Sequence, residues 1–284
     1  MSSFAFVILH YGSAAITQSA IDSIRTLSKD DHSVKIIVVD NASPNATGTV
    51  VFENNQADSD FFYLKNDENL GFAKGNNVGF NYAKYQLKSD FIILMNNDVE
   101  IESEDFYSQV EKNYIEKKFA VLGPGIYTLC GKMQNPLRHK MLKGFRLWLT
   151  CLYVKLDICF TWLCLVPLLF KVIPLKNRKI NFEKETALDD VELHGSFLIF
   201  SREYISRFDG LDPRTFMYCE EEILFARCVA SGLISRYDPH LRVCHKEAST
   251  DKNDLQDFRK RRLFRLRSCL SSLKLYKKVL RELF

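Results

Sequence analysis

The feature that most constrains this chain is the alternation, along residues 1–125, of short apolar runs with longer amphipathic segments. Strand-length apolar runs that alternate with helix-length amphipathic segments are typical of a mostly parallel sheet covered by helices. The predicted strands are residues 4–9, 34–39, 61–64, 91–95 and 120–122, and the predicted helices are residues 15–27, 73–85 and 103–118. The pattern therefore predicts an α/β fold.

A second region, residues 191–245, repeats these signals. It contains an apolar strand pattern (LHGSFLIFS), a turn (FDGLDP), a helix-like stretch at residues 220–230 and a short strand that ends at His245. We expect it to complete the same sheet. Ligands of such sheets bind at the carboxyl ends of the strands, where loops and helix N-termini meet. The loops after Val39, Leu64 and Met95 are therefore the first places to look for a site.

Between these regions, residues 141–175 are strongly apolar, and Asp157 is the only charged residue in 156–170. Fifteen such residues are too few to cross a bilayer. We expect an insertion over about residues 141–178 that lies in the membrane interface, the alternative being a helical hairpin packed on the protein itself. The aromatic residues that this interpretation puts at headgroup level are Trp148, Tyr153 and Trp162.

The C-terminal segment is basic: residues 256–284 hold ten Lys or Arg against two acidic residues, whereas the first 255 residues hold 29 basic and 33 acidic ones. We predict a basic amphipathic helix at residues 251–284 that contacts an anionic membrane surface. The same spacing suits a coiled-coil seam or docking on the body. Nucleic acid is not an expected partner, because the core lacks a recognisable nucleic-acid module. The apolar stripe of this helix is Leu263, Leu266, Leu270, Leu273, Tyr276, Leu280 and Leu283.

The cellular location follows from two signals. Eight cysteines are present without CxxC or Cys/His metal spacing, which indicates reduced thiols rather than a disulfide framework. The N-terminal apolar run has strand length and no basic residues before it, unlike a signal peptide. We therefore expect a cytoplasmic protein that lies on the inner face of the cell membrane.

Polar residues with binding chemistry follow the second and third predicted strands. Asp40 and Asn41 offer a carboxylate and an amide at the end of the second strand, although Asp-Asn-Ala-Ser is also ordinary turn chemistry. Residues 69–79 pack three glycines and three asparagines around Lys74 at a predicted helix start. Glycines allow the backbone to approach a ligand closely, and amides donate to phosphate or sugar oxygens. The segment favours a binding role over a capped surface turn.

The fourth strand delivers Asn96, Asn97 and Asp98 at its carboxyl end. A carboxylate there can coordinate a hard divalent cation that also holds diphosphate oxygens, while water and substrate fill the other positions. An aspartate at a strand end can also simply cap the next turn. The strongly apolar strand before it favours a functional role.

In this order, the segments VDNAS (residues 39–43), NLGFAKGNNVG (69–79) and NND (96–98) resemble the family 2 inverting glycosyltransferases of the GT-A fold, particularly the bacterial rhamnosyltransferase-like branch. The resemblance continues in HGSF (194–197), FMYCEEE (216–222) and VCH (243–245), and covers roughly residues 4–126 and 190–250. The chain departs from the Asp-x-Asp metal motif of the family, because only Asp98 keeps a carboxylate.

The resemblance implies a GT-A domain over residues 1–250, with a mixed, mostly parallel sheet flanked by helices. It implies transfer of a rhamnose or another hexose, with inversion, from a dTDP- or UDP-sugar to a lipid-linked or polysaccharide acceptor in cell-surface glycan synthesis. The cofactor would be Mg²⁺ or Mn²⁺ at Asp98, joined by His245. The residues implied for the donor are Asp40, Asn41, Gly71, Lys74, Asn76, Asn77 and Asn97, and those for the acceptor side are His194 and Gly195.

Inverting transfer needs a carboxylate that takes the proton of the acceptor hydroxyl as its oxygen attacks the anomeric carbon. Glu221 is our candidate for this base and Glu220 is the alternative, because one position of register decides between them. A solvated acidic helix start is the structural explanation that needs no function.

Two other classes compete with this interpretation. A nicotinamide oxidoreductase would need a G-x-G-x-x-G turn after the first strand, but the chain has His-Tyr-Gly-Ser-Ala-Ala at residues 10–15. A non-catalytic membrane scaffold that binds nucleotide-sugar stays open, because the metal motif is reduced to one carboxylate.

Overall fold

The computed structural model describes residues 2–163, 186–247 and 255–284. Its strands form one mixed sheet in the order β3-β2-β1-β4-β8-β6-β9-β5, and β7 pairs with β9. The strands are β1 (Ser3–His10), β2 (Ser33–Asp40), β3 (Phe61–Lys65), β4 (Phe91–Asn96), β5 (Val99–Ile101), β6 (Val121–Thr128), β7 (Leu188–Asp189), β8 (Phe197–Phe200) and β9 (Ser235–His245).

The helices are α1 (Ala14–Arg25), α2 (Thr47–Asn55), α3 (Gly71–Asn81), α4 (Phe106–Lys117), α5 (Gly144–Trp162), α6 (Arg202–Ile205), α7 (Glu220–Ala230) and α8 (Leu255–Leu283). Every strand and helix predicted from the sequence is present. The structure adds α2, whose β-branched residues gave no helix signal, and three elements that are too short to detect, β5, β7 and α6. The predicted α/β class is confirmed.

The first four strands are parallel to one another, with β1 between β2 and β4. Side chains along β1 alternate between the two faces of the sheet. Phe4, Phe6 and Ile8 enter a core that is covered by α1 and α4. Ala5 and Val7 enter the opposite core, which is covered by α3 and α7. Burial on both faces explains why these strands read as continuous apolar runs.

The direction of the sheet changes at β8, which pairs antiparallel with both β4 and β6. On its far side β6 runs parallel to β9, and β9 runs antiparallel to β5. As a result, the segment before β8 and the end of β9 lie at the same edge of the sheet as the carboxyl ends of β1, β2 and β4.

A third core joins α5, α7 and α8 beside the sheet. Leu147 of α5, Ile223 of α7 and Tyr276 of α8 are among its buried residues. Asp157 is buried in it and pairs with Arg262, whose Nη2 lies 2.7 Å from Oδ1. The apolar stripe of the C-terminal helix therefore packs on the body, with Leu266, Leu273 and Tyr276 buried. This corrects the expectation that the stripe itself faces a membrane.

The exposed apolar surface lies on α5 instead. Phe145, Trp148, Leu149 and Leu152 are exposed at helical spacing near its start, and Trp162 is exposed at its end, whereas Tyr153 packs against the third core. In the described ranges no helix combines the length and the apolarity that a membrane crossing needs. Residues 164–178 of the predicted insertion and residues 251–254 of the predicted tail helix lie outside the described residues.

Close packing of α3 on the sheet generates a stability prediction. A Cβ on Gly79 would lie 2.4 Å from Val7 Cγ1 and 2.9 Å from Val39 Cγ2. We expect Gly79→Ala to lower the free energy of unfolding by about 1–3 kcal/mol through overpacking, against a gain of about 1 kcal/mol in helix propensity. Urea denaturation measures the change. Lys74→Ala, at an exposed position of the same helix, is the control, and a net stabilisation by Gly79→Ala would contradict the packing.

Candidate active site

Asp98 and His245 meet at the edge of the sheet where β1, β2 and β4 have their carboxyl ends. The Nε2 atom of His245 lies 3.3 Å from Oδ1 of Asp98, because the β5–β9 pairing sets Val99 opposite His245. Nδ1 of the same ring lies 2.7 Å from Oε1 of Gln134, and the amide nitrogen of Gln134 donates to Glu247. The Gln134 oxygen thus accepts from Nδ1, and in the neutral imidazole the lone pair stands on Nε2, toward Asp98.

This arrangement suits a divalent cation. A carboxylate oxygen and an imidazole lone pair that face each other are both acceptors and repel each other. A cation bound between them would be attracted to both. Mg²⁺ and Mn²⁺ bind through one or two protein groups together with substrate phosphates and water. Among the described residues no group of three or more His, Cys, Asp or Glu could hold a metal by itself. Asp98 and His245 therefore fit a cation whose other ligands are water and the phosphate oxygens of a bound substrate.

A two-residue segment, His194 and Gly195, connects this pair with α7. The ring of His194 lies 5.8 Å from that of His245, edge to face. Burial, together with His245, lowers the pKa of His194 to about 4, so the ring is neutral at physiological pH. The N–H of Gly195 donates to Oε1 of Glu221 over 3.1 Å. A Cβ at Gly195 would lie 2.8 Å from that oxygen, so a side chain there would displace the carboxylate.

The first turn of α7 carries Glu220, Glu221 and Glu222. The turn before it is formed by Tyr218 and Cys219, both with positive φ. Burial of the carboxyl group raises the pKa of Glu221, and burial raises the pKa of Glu220 to about 7. A helix N-terminus favours the ionised form, which offsets part of the cost of desolvation. Carboxylates with such raised pKa values are suited to proton transfer near neutral pH.

The two candidate bases differ in what they face. A cavity of about 480 Å³ beside α7 is lined by Glu221 and Glu222, and by Arg138 from the loop before α5. Glu220 does not line it, and its Oε1 is buried without a hydrogen-bond partner among the described residues. Of the two candidates, Glu221 therefore has access to a space where an acceptor hydroxyl fits.

Behind Glu221, Glu222 forms a cluster with Arg138 and Glu192, two residues that the sequence interpretation missed. Nε of Arg138 lies 3.6 Å from Oε1 of Glu192, and its Nη2 lies 3.3 Å from Oε1 of Glu222. Glu192 is fully buried and pairs with Arg138 through the backbone. Its burial and the nearby Glu222 raise the pKa of its carboxyl group. One signal in the sequence was available: Glu192 stands between the apolar residues Val191 and Leu193. A charge at such a buried position needs a partner.

On the donor side, Asp40 and Asn41 are both buried at the carboxyl end of β2. Asp40 accepts hydrogen bonds from the Ser43 N–H and the Tyr63 hydroxyl, each over 2.9 Å. Oδ1 of Asn41 accepts from the Leu70 N–H over 3.0 Å, and its nitrogen donates to the Gly71 carbonyl over 3.2 Å. Asn41 thus holds the loop that leads into α3.

Gly71 joins the donor and acceptor sides. Its φ is +78°, and a Cβ would lie 2.3 Å from the carbonyl oxygen of Phe216. The next N–H, that of Phe72, donates to the same oxygen over 2.8 Å. Since Phe216 stands just before the Glu220 turn, this contact fixes the distance between the start of α3 and the start of α7. No side chain larger than hydrogen is compatible with it.

The remaining donor candidates lie in different settings. Lys74 is exposed in the first turns of α3, and Asn97 donates to the Thr17 hydroxyl over 3.1 Å. Asn76 is buried and bonds the Phe72 carbonyl one turn earlier. Asn77 bonds both the N–H and the carbonyl of Leu211, each over 2.8 Å. The structure thus gives Asn76 and Asn77 positioning tasks, while Lys74 is accessible to a ligand.

Comparison with known proteins gives a consistent result. Residues 5–166 match the family described as "Glycosyl transferase family 2". Among solved structures, a crystal structure of residues 1–349 of S. aureus TarS aligns with a TM-score of 0.51 at 14% identity, over 84% of this chain and 60% of that one. A longer S. aureus TarS structure aligns with a TM-score of 0.55 at 13% identity, over 86% of this chain. No curated protein matches the chain.

The chain spans only 60% and 36% of the two TarS chains. At such identity the structural likeness concerns the fold alone, and it bears out the predicted GT-A-like architecture of a mixed sheet flanked by helices. The rhamnosyltransferase-like branch is not distinguished by these matches.

The Glu192 carboxyl group generates a pH prediction. Because its folded pKa is raised, its contribution to stability is fully present below its unfolded pKa of about 4.3 and is lost as pH rises through the folded pKa. Glu192→Gln does not titrate, so we expect it to be more stable than the wild type by about 2–4 kcal/mol near pH 8 and nearly equal near pH 4.

Urea unfolding at both pH values measures this difference. Glu104→Gln, at an exposed position, removes the same charge and is the control. A stability difference for Glu192→Gln that does not change with pH would contradict the raised pKa.

Proposed function

The chain belongs to glycosyl transferase family 2, and from this premise we propose that it transfers one hexosyl unit, with inversion, from a dTDP- or UDP-sugar to a saccharide acceptor. The proposal rests on one observation: a pair of residues suited to hold a cation and a glutamate suited to act as a base are connected by a short segment. Asp98 and His245 stand where a diphosphate-bound cation fits, Glu221 stands where an acceptor hydroxyl fits, and His194 and Gly195 lie between them.

In the proposed mechanism, Glu221 takes the proton of the acceptor hydroxyl while its oxygen attacks the anomeric carbon on the face opposite the leaving diphosphate. The Gly195 N–H, 3.1 Å from Oε1, orients the carboxylate. The protein around the carboxyl group raises its pKa and so makes it a better base than an exposed glutamate. One direct displacement at the anomeric carbon gives the inverted product.

The leaving group is the second requirement of the reaction. Asp98 and His245 would hold a Mg²⁺ or Mn²⁺ ion, which when bound supplies charge neutralisation for the diphosphate. His245 is kept in the tautomer that presents Nε2 by its bond to Gln134. The accessible Lys74 adds a positive charge in the first turns of α3, which would attract the phosphates of the donor.

The base and ribose of the donor would lie along the edge formed by Asp40, Asn41 and the start of α3. Buried hydrogen bonds hold this edge rigid, so it is pre-organised before the donor arrives. Rhamnose or another hexose fits the proposal. Asn97, held by Thr17, stands next to Asp98 on the same edge.

We also propose that the protein works on the inner face of the cell membrane, in cell-surface glycan synthesis with a lipid-linked or polysaccharide acceptor. The exposed apolar face of α5, with Phe145, Trp148 and Trp162, supports interfacial binding. The basic C-terminal helix supplies attraction to anionic lipids. A non-catalytic nucleotide-sugar scaffold is the alternative, and the single carboxylate of the 96–98 motif is the observation that favours it.

The assignment of Glu221 as base generates a kinetic prediction. Glu221→Gln is expected to lower kcat for transfer by about 10²–10⁴-fold with little change in donor affinity, because it removes the proton acceptor and keeps the shape. In the wild type, the rate should rise with pH through the raised pKa of Glu221. The measurement is turnover of a panel of UDP-, dTDP- and GDP-sugars, with the product anomer read by NMR.

Glu104→Gln is the control for loss of one negative charge, and Glu220→Gln tests the register. A larger loss in Glu220→Gln than in Glu221→Gln would move the base by one position. A product with the anomeric configuration of the donor would rule out inversion. If no donor turns over with any acceptor, the scaffold alternative replaces the transferase.

The cation site generates a separate prediction. Asp98→Asn and His245→Gln are expected to raise the Mn²⁺ concentration needed for half-maximal activity by at least tenfold, since each removes one of two protein ligands. Direct Mn²⁺ titration followed by EPR in the presence of UDP reads binding without turnover. Asp105→Asn, which changes a carboxylate at the start of α4, is the matched control. Full activity of the wild type in EDTA would contradict the site.

A further inference from the structure

A cleft of about 620 Å³ lies between α5 and α8, away from the donor edge. Its volume is within the range of about 300–1,000 Å³ that is usual for ligand sites. Leu147 and Trp148 line it from α5, and Leu270 and Leu280 line it from α8, with Phe284 at one end. These side chains form an apolar trough between the two helices. Nothing in the proposed transfer chemistry uses it.

The same cleft is edged by positive charge. Among the described residues that line it none is acidic, so the cations have no counterion in its lining. The cationic lining residues are Lys143, Lys155, Lys274, Lys277 and Arg281. An apolar trough edged by lysines and an arginine is complementary to an amphiphile with a hydrocarbon chain and an anionic head.

The cleft also leads toward the catalytic carboxylates. Lys143 lines both this cleft and a neighbouring cavity of about 630 Å³, to which Lys140 and Arg146 contribute. Lys140 and Arg146 in turn line the cavity that contains Glu221. Residues 138–146, the loop before α5 together with the first residues of α5, are called the cationic loop here, and they contribute to the lining of all three cavities, from the apolar cleft to the one that contains the candidate base.

We propose that the α5–α8 cleft binds the hydrocarbon chain of the acceptor, that the cationic loop binds the phosphate that follows this chain, and that the attached sugar reaches Glu221. The acceptor is then a saccharide linked through phosphate to a single long hydrocarbon chain. This inference rests on the proposed function, because it assigns the acceptor class of the same site. A bilayer phospholipid is the competing occupant, and the experiment below distinguishes it from the lipid-linked acceptor.

The test uses the full chain and a fluorescence signal from the cleft. The protein has two tryptophans, so Trp162→Phe leaves Trp148 as the reporter. The probe is an isoprenyl monophosphate in neutral nanodiscs, compared with the isoprenyl alcohol of the same length, phosphatidylglycerol at the same mole fraction, and inorganic phosphate. We expect a saturable change in Trp148 emission with the isoprenyl phosphate and at least tenfold weaker binding of the other three. Equal binding of phosphatidylglycerol, or no binding of the isoprenyl phosphate, would overturn the inference.

Paired charge reversals separate a specific site from general attraction. Lys274→Glu/Lys277→Glu changes two residues that line the cleft, whereas Lys260→Glu/Lys278→Glu makes the same charge change at exposed positions of α8 that do not line it. We expect the first pair to weaken binding of the isoprenyl phosphate at least tenfold and the second pair to keep it within about twofold. Equal losses would mean membrane electrostatics only and would overturn the inference.

Circular dichroism of both double variants checks that the fold is kept. Donor hydrolysis by the wild type, measured without lipid, tests the proposed function separately. An enzyme that hydrolyses donor but ignores the isoprenyl phosphate refutes the lipid site alone. A protein that binds the isoprenyl phosphate but turns over no donor refutes the transferase.

Discussion

The structure depends most on the reversed direction of β8. Because β8 lies antiparallel between β4 and β6, with Phe197 opposite Met95, its first residues stand beside the last residues of β4. The segment before β8 thereby reaches the edge where Asp98 stands. The long β9 returns to this edge in the opposite sense to β5 and ends there in His245. Two stretches more than a hundred residues apart meet through backbone hydrogen bonds alone, before any side-chain chemistry is considered.

The second constraint is electrostatic. Glu192 and Glu222 pair with one guanidinium, that of Arg138, and Glu221 precedes Glu222 in the same helix turn. One positive charge does not compensate three negative ones, and burial raises the pKa of all three carboxyl groups. The arrangement keeps carboxyl groups ready to accept a proton. A scattered set of surface glutamates would be fully ionised and weaker bases. The cost of this cluster in stability is consistent with a site selected for chemistry rather than for folding.

The sequence predicted the sheet well, because strands buried on both faces leave unambiguous apolar runs, and the helices of the first half show clear periodicity. It also brought Asp98 and His245 together, since the resemblance to a family carries long-range pairing that periodicity does not. It did not predict that Asn76 and Asn77 bond the backbone, because an amide in a glycine-rich segment looks the same whether it faces a ligand or a loop. Arg138 was missed because its partners, Glu192 and Glu222, lie far from it in the sequence. The stripe of α8 was read correctly as a helix, but its spacing alone does not say whether lipid or protein covers it.

The third core has a consequence for how such an enzyme changes over evolutionary time. Among the described residues it is built from α5, α7, α8, the loop before α5 and Cys219 in the turn before α7, without any strand residue. The packing of α5 and α8 is therefore separate from that of the sheet core, and we expect substitutions in these two helices to leave the sheet core intact. The exception is α7, which sends Leu224 and Cys228 into the sheet core and Ile223 and Ala226 into the third core. Divergence of α5 and α8 is thus compatible with an unchanged sheet, whereas each face of α7 is constrained by a different core.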